Sequence, residues 1–142
     1  MIRPAVGLAQ RKVLSVEAPA RVTLEKGGET QVTIRVKVSP GYHVNSDRPS
    51  DEFLIPLRLH WEGPLKPVET RFPEPKQERY GFAEKPLSVF TGDFEIEVRF
   101  RAPVGAAAGE APMTGKLRYQ ACTDKLCLPP RTATVQFTAE IR

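Results

Sequence analysis

Three segments of the chain alternate strictly between apolar and polar positions. Residues 30–38 place Val32, Ile34, Val36 and Val38 on one face. Residues 92–100 do the same with Phe94, Ile96, Val98 and Phe100, and residues 134–141 with Val135, Phe137, Ala139 and Ile141. Successive side chains of an extended chain point to opposite sides, so this period of two marks an antiparallel strand with one buried face. Shorter or less regular alternation predicts five more strands, at residues 12–17, 20–25, 55–61, 87–90 and 116–121. Turn-forming clusters separate them: Lys26-Gly27-Gly28, Ser39-Pro40-Gly41, Glu62-Gly63-Pro64, Thr91-Gly92-Asp93 and Met113-Thr114-Gly115.

No stretch sustains the 3.6-residue apolar period of a helix. The alanine-rich residues 104–111 are read as a loop, because Gly105, Gly109 and the flanking Pro103 and Pro112 oppose a helix. Many short strands at this spacing make an all-β fold, an immunoglobulin-like antiparallel β-sandwich. The 142 residues suffice for one domain whose core needs no staples. The chain is accordingly expected to be a single domain over residues 1–142, with residues 1–10 a flexible leader. The 14 prolines, about twice average usage, favour strands and turns over helices. One region departs from the alternation: residues 68–86 carry Pro73, Pro75 and Pro86 around Tyr80-Gly81-Phe82. Such a segment is either a functional loop or a crossover between sheets.

Charge narrows the choice of partners. The 21 basic and 17 acidic side chains give a net charge of +4, but they are interspersed along the strands. Nucleic-acid binding needs a concentrated basic patch to displace counterions from phosphates, so it is not expected. No window reaches the roughly 18 apolar residues of a membrane-spanning helix. The first residues are too short and too weakly apolar for a signal peptide. The chain therefore reads as cytoplasmic, or as a mature domain whose export signal lies outside it.

The chemistry concentrates in residues 116–130. The only two cysteines, Cys122 and Cys127, stand four residues apart. If the alternation of Leu117, Tyr119 and Ala121 persists, Cys122 falls on the opposite, solvent-facing side with Arg118 and Gln120. Pro129 and Pro130 then stiffen the backbone beyond the pair. A six-residue disulfide loop stabilises by about 2 kcal/mol on the chain-entropy estimate, less than a bridge between distant strands. Three readings remain open: a pair for reversible thiol–disulfide chemistry, a clip in a non-catalytic binding sandwich, and a metal site. The last lacks ligands, since His43 and His60 are the only histidines and zinc asks for four donors. His60 beside Trp61 fits a packed or solvent-facing strand residue. Arg118, Lys125 and Arg131 near the pair favour a thiolate, and Asp124 opposes it.

The string Tyr119-Gln120-Ala121-Cys122-Thr123-Asp124-Lys125-Leu126-Cys127-Leu128-Pro129-Pro130 resembles the active-site hairpin of the N-terminal periplasmic domain of DsbD-type thiol:disulfide interchange reductases. In the same order, so do Gly41-Tyr42-His43-Val44-Asn45, the Tyr80-Gly81-Phe82 loop and Pro86-Leu87-Ser88-Val89-Phe90. The resemblance implies an immunoglobulin-like periplasmic domain with protein-disulfide reductase activity and no cofactor. It would take electrons from a thioredoxin-like donor and pass them to oxidised extracytoplasmic thioredoxin-fold proteins. Those include disulfide isomerases and a thioredoxin of cytochrome c maturation. Cys127 would form the mixed disulfide with a partner, and Cys122 would resolve it. Tyr80 and Phe82 would cap the pair, with Tyr42, Tyr119, Asp124 and Pro129 lining the site. Well-known members of the family carry five residues between the cysteines where this chain has four. The chain also carries neither membrane segments nor a thioredoxin-like module, as expected of a domain excised from a membrane reductase or of a free-standing relative.

Overall fold

The computed structural model describes residues 13–142, which form twelve strands and no helix. The expected leader at residues 1–10 lies outside the described residues. One sheet has the order β1 (Leu14–Glu17), β3 (Glu29–Val38), β9 (Asp93–Arg101), β6 (Lys66–Arg71), all antiparallel. The second has the order β2 (Arg21–Leu24), β12 (Arg131–Ile141), β10 (Gly109–Tyr119), β5 (Arg58–Glu62); only the β2–β12 pairing is parallel. A third, small sheet joins β11 (Ala121–Cys122), β4 (His43–Asn45), β8 (Leu87–Phe90) and β7 (Lys76–Glu78). The architecture is an immunoglobulin-like antiparallel β-sandwich.

The alternation read from the sequence builds the core. Val32, Ile34, Val36 and Val38 of β3 and Ile96, Val98 and Phe100 of β9 are buried. So are Met113 and Leu117 of β10 and Val135, Phe137, Ala139 and Ile141 of β12. Three rings lock the two large sheets together. Trp61 meets Phe100 edge-on at 5.0 Å and Phe137 at 5.6 Å, and Phe100 meets Phe137 at 5.6 Å. Edge-to-face contacts of this kind add about 0.5–1.5 kcal/mol each beyond the buried area.

Two expectations need correction on β10. Met113-Thr114-Gly115 is not a turn: it lies inside an eleven-residue strand paired on both sides, Gly115 with Val135 and with Trp61. Glycine is there for space. A Cβ on Gly115 would stand 2.8 Å from the Trp61 ring and 3.0 Å from Val135. Gly115→Ala is therefore expected to cost about 1–3 kcal/mol by overpacking, read as a lower urea midpoint at unchanged slope. The strand also begins at Gly109, within the segment expected to be a loop. Pro112 is tolerated because β5 pairs with β10 only from Thr114 onward, so the missing donor breaks no ladder to β5.

The irregular stretch 68–86 contains more order than its prolines suggest. It includes the end of β6, an edge strand with a register shift between Pro67 and Glu69, and the short exposed β7. Both are edge strands, where proline and poor alternation do least harm.

Candidate functional site

The third sheet positions the cysteines. At Gln120 the chain leaves β10, and β11 turns to pair with β4, aligning Cys122 with His43 and Ala121 with Val44. The change of sheet breaks the alternation, so Ala121 and Cys122 are both buried. The expected solvent-facing Cys122 is thus corrected: it has no exposed surface. Cys127 is half-buried.

A short hairpin carries the pair. The Leu128 N–H donates to the Ala121 carbonyl at 2.8 Å, and the Thr123 N–H to the Leu126 carbonyl at 2.8 Å. Cys122 and Cys127 lie between these bonds as a non-hydrogen-bonded pair, the closest arrangement in an antiparallel ladder. Their Cα atoms are 3.9 Å apart, and the sulfurs are joined in a disulfide. The Thr123 hydroxyl accepts from the Lys125 and Leu126 N–H groups, both at 3.2 Å, which closes the tip locally. Pro129 and Pro130 are exposed and end the hairpin before β12 begins.

Gln120 anchors the base of this hairpin. Its amide donates to the Leu128 carbonyl at 3.4 Å, while its oxygen accepts from the Ile55 N–H and the Asn45 amide, each at 3.4 Å. The Asn45 amide also donates to the Ile55 carbonyl at 3.0 Å. Gln120 was expected on a solvent face with Arg118; it is instead half-buried and ties the hairpin to β4 and the loop before β5.

Three rings stack over β4. His43, 2% exposed, lies against Tyr80 at 3.9 Å with planes 16° apart. Phe82 lies beyond, 5.8 Å from Tyr80 and 6.4 Å from His43. The loop bearing Tyr80 also approaches the hairpin tip, since a Cβ on Gly81 would stand 3.7 Å from the Asp124 carbonyl. Tyr42, His43, Tyr80 and Asp124 line one groove beside the pair. Burial pushes the Tyr80 phenol up, and Glu78 adds to it. Tyr119 does not join this group: it packs in the core, where burial raises its phenol and Arg131 partly opposes the rise. Arg118, Lys125 and Arg131 are all exposed.

From the sequence, His43 is a metal-ligand candidate and a member of the Gly41–Asn45 segment, with no role at the cysteine pair. Its polar ring within Tyr42-His43-Val44-Asn45 offers no periodic signal, because all three residues of β4 are buried. Among the described residues no cluster of three or more metal-binding side chains occurs, and His60 is exposed on β5. Burial lowers His43 from 6.5 to about 4. The unfolded chain then takes up this proton first as pH falls, so stability is complete above about pH 6.5 and drains as pH falls towards 4. The loss is at most about 3 kcal/mol. His43→Phe is expected to lose less stability than wild type between pH 7 and about 4.5, measured by urea unfolding; equal losses would remove the assignment.

Comparison with known proteins places this geometry. No curated protein sequence matches the chain. The solved N-terminal periplasmic domain of ScsB from Proteus mirabilis superposes with a TM-score of 0.56 at 11% identity, over 87% of this chain. The chain spans 44% of that structure's length. The periplasmic chaperone SfaE gives a TM-score of 0.42 at 11% identity, over 91% of this chain and 57% of its own. The family described as "Thiol:disulfide interchange protein DsbD, N-terminal" matches residues 10–139. With a match over nearly its whole length, ending beyond the disulfide hairpin, the chain belongs to the family of DsbD N-terminal domains.

Proposed function

We propose that the domain is a periplasmic protein-disulfide reductase module that shuttles two electrons through Cys122 and Cys127. Its donor is a thioredoxin-fold protein, and its acceptors are oxidised thioredoxin-fold proteins outside the cytoplasm, including disulfide isomerases and a thioredoxin of cytochrome c maturation. The observation that carries this reading is the placement of the disulfide. It joins facing positions of one hairpin at the end of the sandwich and bridges neither large sheet to the other. A closed loop of six residues constrains the unfolded chain by only about 2 kcal/mol.

The difference in exposure supports a division of roles. A donor thiolate reaches the partly exposed Cys127, the disulfide opens, and Cys122 takes the leaving electron pair. The donor's second cysteine then breaks the mixed disulfide and leaves a dithiol. Toward an acceptor, the Cys127 thiolate attacks the partner disulfide and Cys122 resolves the adduct. Tyr80 and Phe82 cap the pair between encounters, and Tyr42, Asp124 and Pro129 form the rim that a partner meets; Tyr119 supports them from the core.

The reduction potential of the pair, obtained by glutathione titration, tests the reading. A value near those of exchange proteins, about −120 to −270 mV, is expected; one below about −300 mV is that of an inert structural bridge and would sink it. The cap has its own test. Replacing Tyr80 and Phe82 together by alanine is expected to speed alkylation of the reduced pair by a small thiol reagent, and an unchanged rate makes the loop a mere connector.

A further inference from the structure

The resolving step asks Cys122 for a thiolate at a position that disfavours one. Cys122 has no exposed surface, and burial raises a thiol's pKa. The basic side chains nearest in sequence, Arg118, Lys125 and Arg131, are exposed, where water and salt screen them. A thiol at this position has to lose its proton to react.

His43 stands where that proton would go. It is registered directly opposite Cys122 in the β4–β11 ladder, and such residues project from the same face with Cβ atoms about 4.5–5.5 Å apart. The ring is buried and held by the Tyr80 stack. Its Nε2 is buried and has no hydrogen-bond partner. Buried polar atoms are nearly always paired, so an unpaired one calls for an explanation. The redox state supplies it: in the disulfide Cys122 has no proton to share, and in the dithiol it has one.

We propose that His43 Nε2 accepts the thiol proton of Cys122 when Cys122 resolves the mixed disulfide between Cys127 and a partner. This rests on the exchange reading above. The Cys122 S–H bond gives its proton to Nε2, and the sulfur electron pair forms the new bond to Cys127 Sγ. The Cys127–partner disulfide breaks, and its electron pair leaves on the partner sulfur. The domain is oxidised by two electrons and the partner disulfide reduced. The imidazolium returns its proton to the departing thiolate or to water, so no charge persists in the buried site. Burial keeps His43 neutral at neutral pH, with its acceptor lone pair free, and makes it a weak base. The titratable groups around it are Cys122 on β11, Tyr80 and Glu78 at the cap, Tyr42 on its own segment, and Lys37, Asp93 and Asp124 around the groove.

The test mixes reduced protein with one equivalent of an aromatic disulfide that releases a coloured thiolate. The first release reports attack by Cys127, and the second reports resolution by Cys122. In His43→Phe the second release is expected to slow about tenfold at pH 7, less than the usual 10²–10⁴-fold for a well-matched base because His43 is a weak one. It should recover as the pH is raised and the thiol ionises unaided. The first release of the same protein is the reference against which the second is read. His43→Gln keeps a hydrogen-bond acceptor but takes up no proton, and is expected to behave like the phenylalanine variant. A second release within about twofold of wild type in either folded variant, or a deficit that persists at high pH, overturns the role of His43 and leaves exchange standing. A wild-type protein with no second release removes both.

Discussion

Cys127→Ser is expected to abolish exchange, whereas Cys122→Ser is expected to trap a stable mixed disulfide with a thioredoxin-fold protein that keeps only one active-site cysteine. The asymmetry follows from exposure. Cys122 has no exposed surface, so another protein's sulfur cannot approach it without opening the third sheet. Cys127 is half-buried on the outgoing arm of the hairpin, directly after the exposed Leu126. Exchange needs the attacking sulfur in line with the bond it breaks, and only Cys127 offers that access. Removing Cys122 leaves the attack possible but deletes the group that would release the partner. Incubating each variant with a thioredoxin-fold protein that keeps a single active-site cysteine, activated as an aromatic disulfide, and running the products on a non-reducing gel separates the roles. Equal trapping by both variants, or trapping only by Cys127→Ser, would reverse or erase the assignment.

Phe100→Ala is expected to destabilise the domain by about 3–5 kcal/mol, the range for removing a buried aromatic ring. Phe100 has no exposed surface and is the ring that both Trp61 and Phe137 pack against edge-on. Its loss opens a cavity between the two large sheets, where rigid strands on both sides limit collapse. Typical domains hold only about 5–15 kcal/mol in total, so the variant is expected to be marginal. Trp61, the chain's single tryptophan, gives a fluorescence reading of the transition. A shift under about 1 kcal/mol would mean that the ring cluster is not what joins the sheets.

The two substitutions separate the parts of this molecule that could and could not be anticipated. The strands of the core were readable because their determinant is local. Val32 to Val38, Phe94 to Phe100 and Val135 to Ile141 alternate with polar residues, and a period of two states which face is buried without reference to any neighbour. Seven of the expected segments each hold one strand, Leu87–Phe90 with its expected bounds, while residues 116–121 divide between the end of β10 and the start of β11. The short β4, β7 and β11 gave no such signal. They are two or three residues long, wholly buried or wholly exposed, and exist because neighbouring segments supply partners.

The same division runs through the site. The closeness of Cys122 and Cys127 and their Tyr-Gln and Pro-Pro flanks belong to the linear sequence, as does the resemblance they carry. The burial of Cys122, the role of Gln120 as the hairpin's anchor and the stacking of His43 under Tyr80 do not. The first two follow from the chain leaving β10 after Tyr119 and joining β4, a segment some 75 residues earlier that meets Gln120 through the Asn45 amide, and the third from β8 pairing with both β4 and β7, the strand just before Tyr80. Local periodicity determined which residues form the sandwich. Pairing between segments distant in the chain decided which sulfur is buried and what lies beside it, because a strand's hydrogen-bonding edge accepts a partner from anywhere in the sequence.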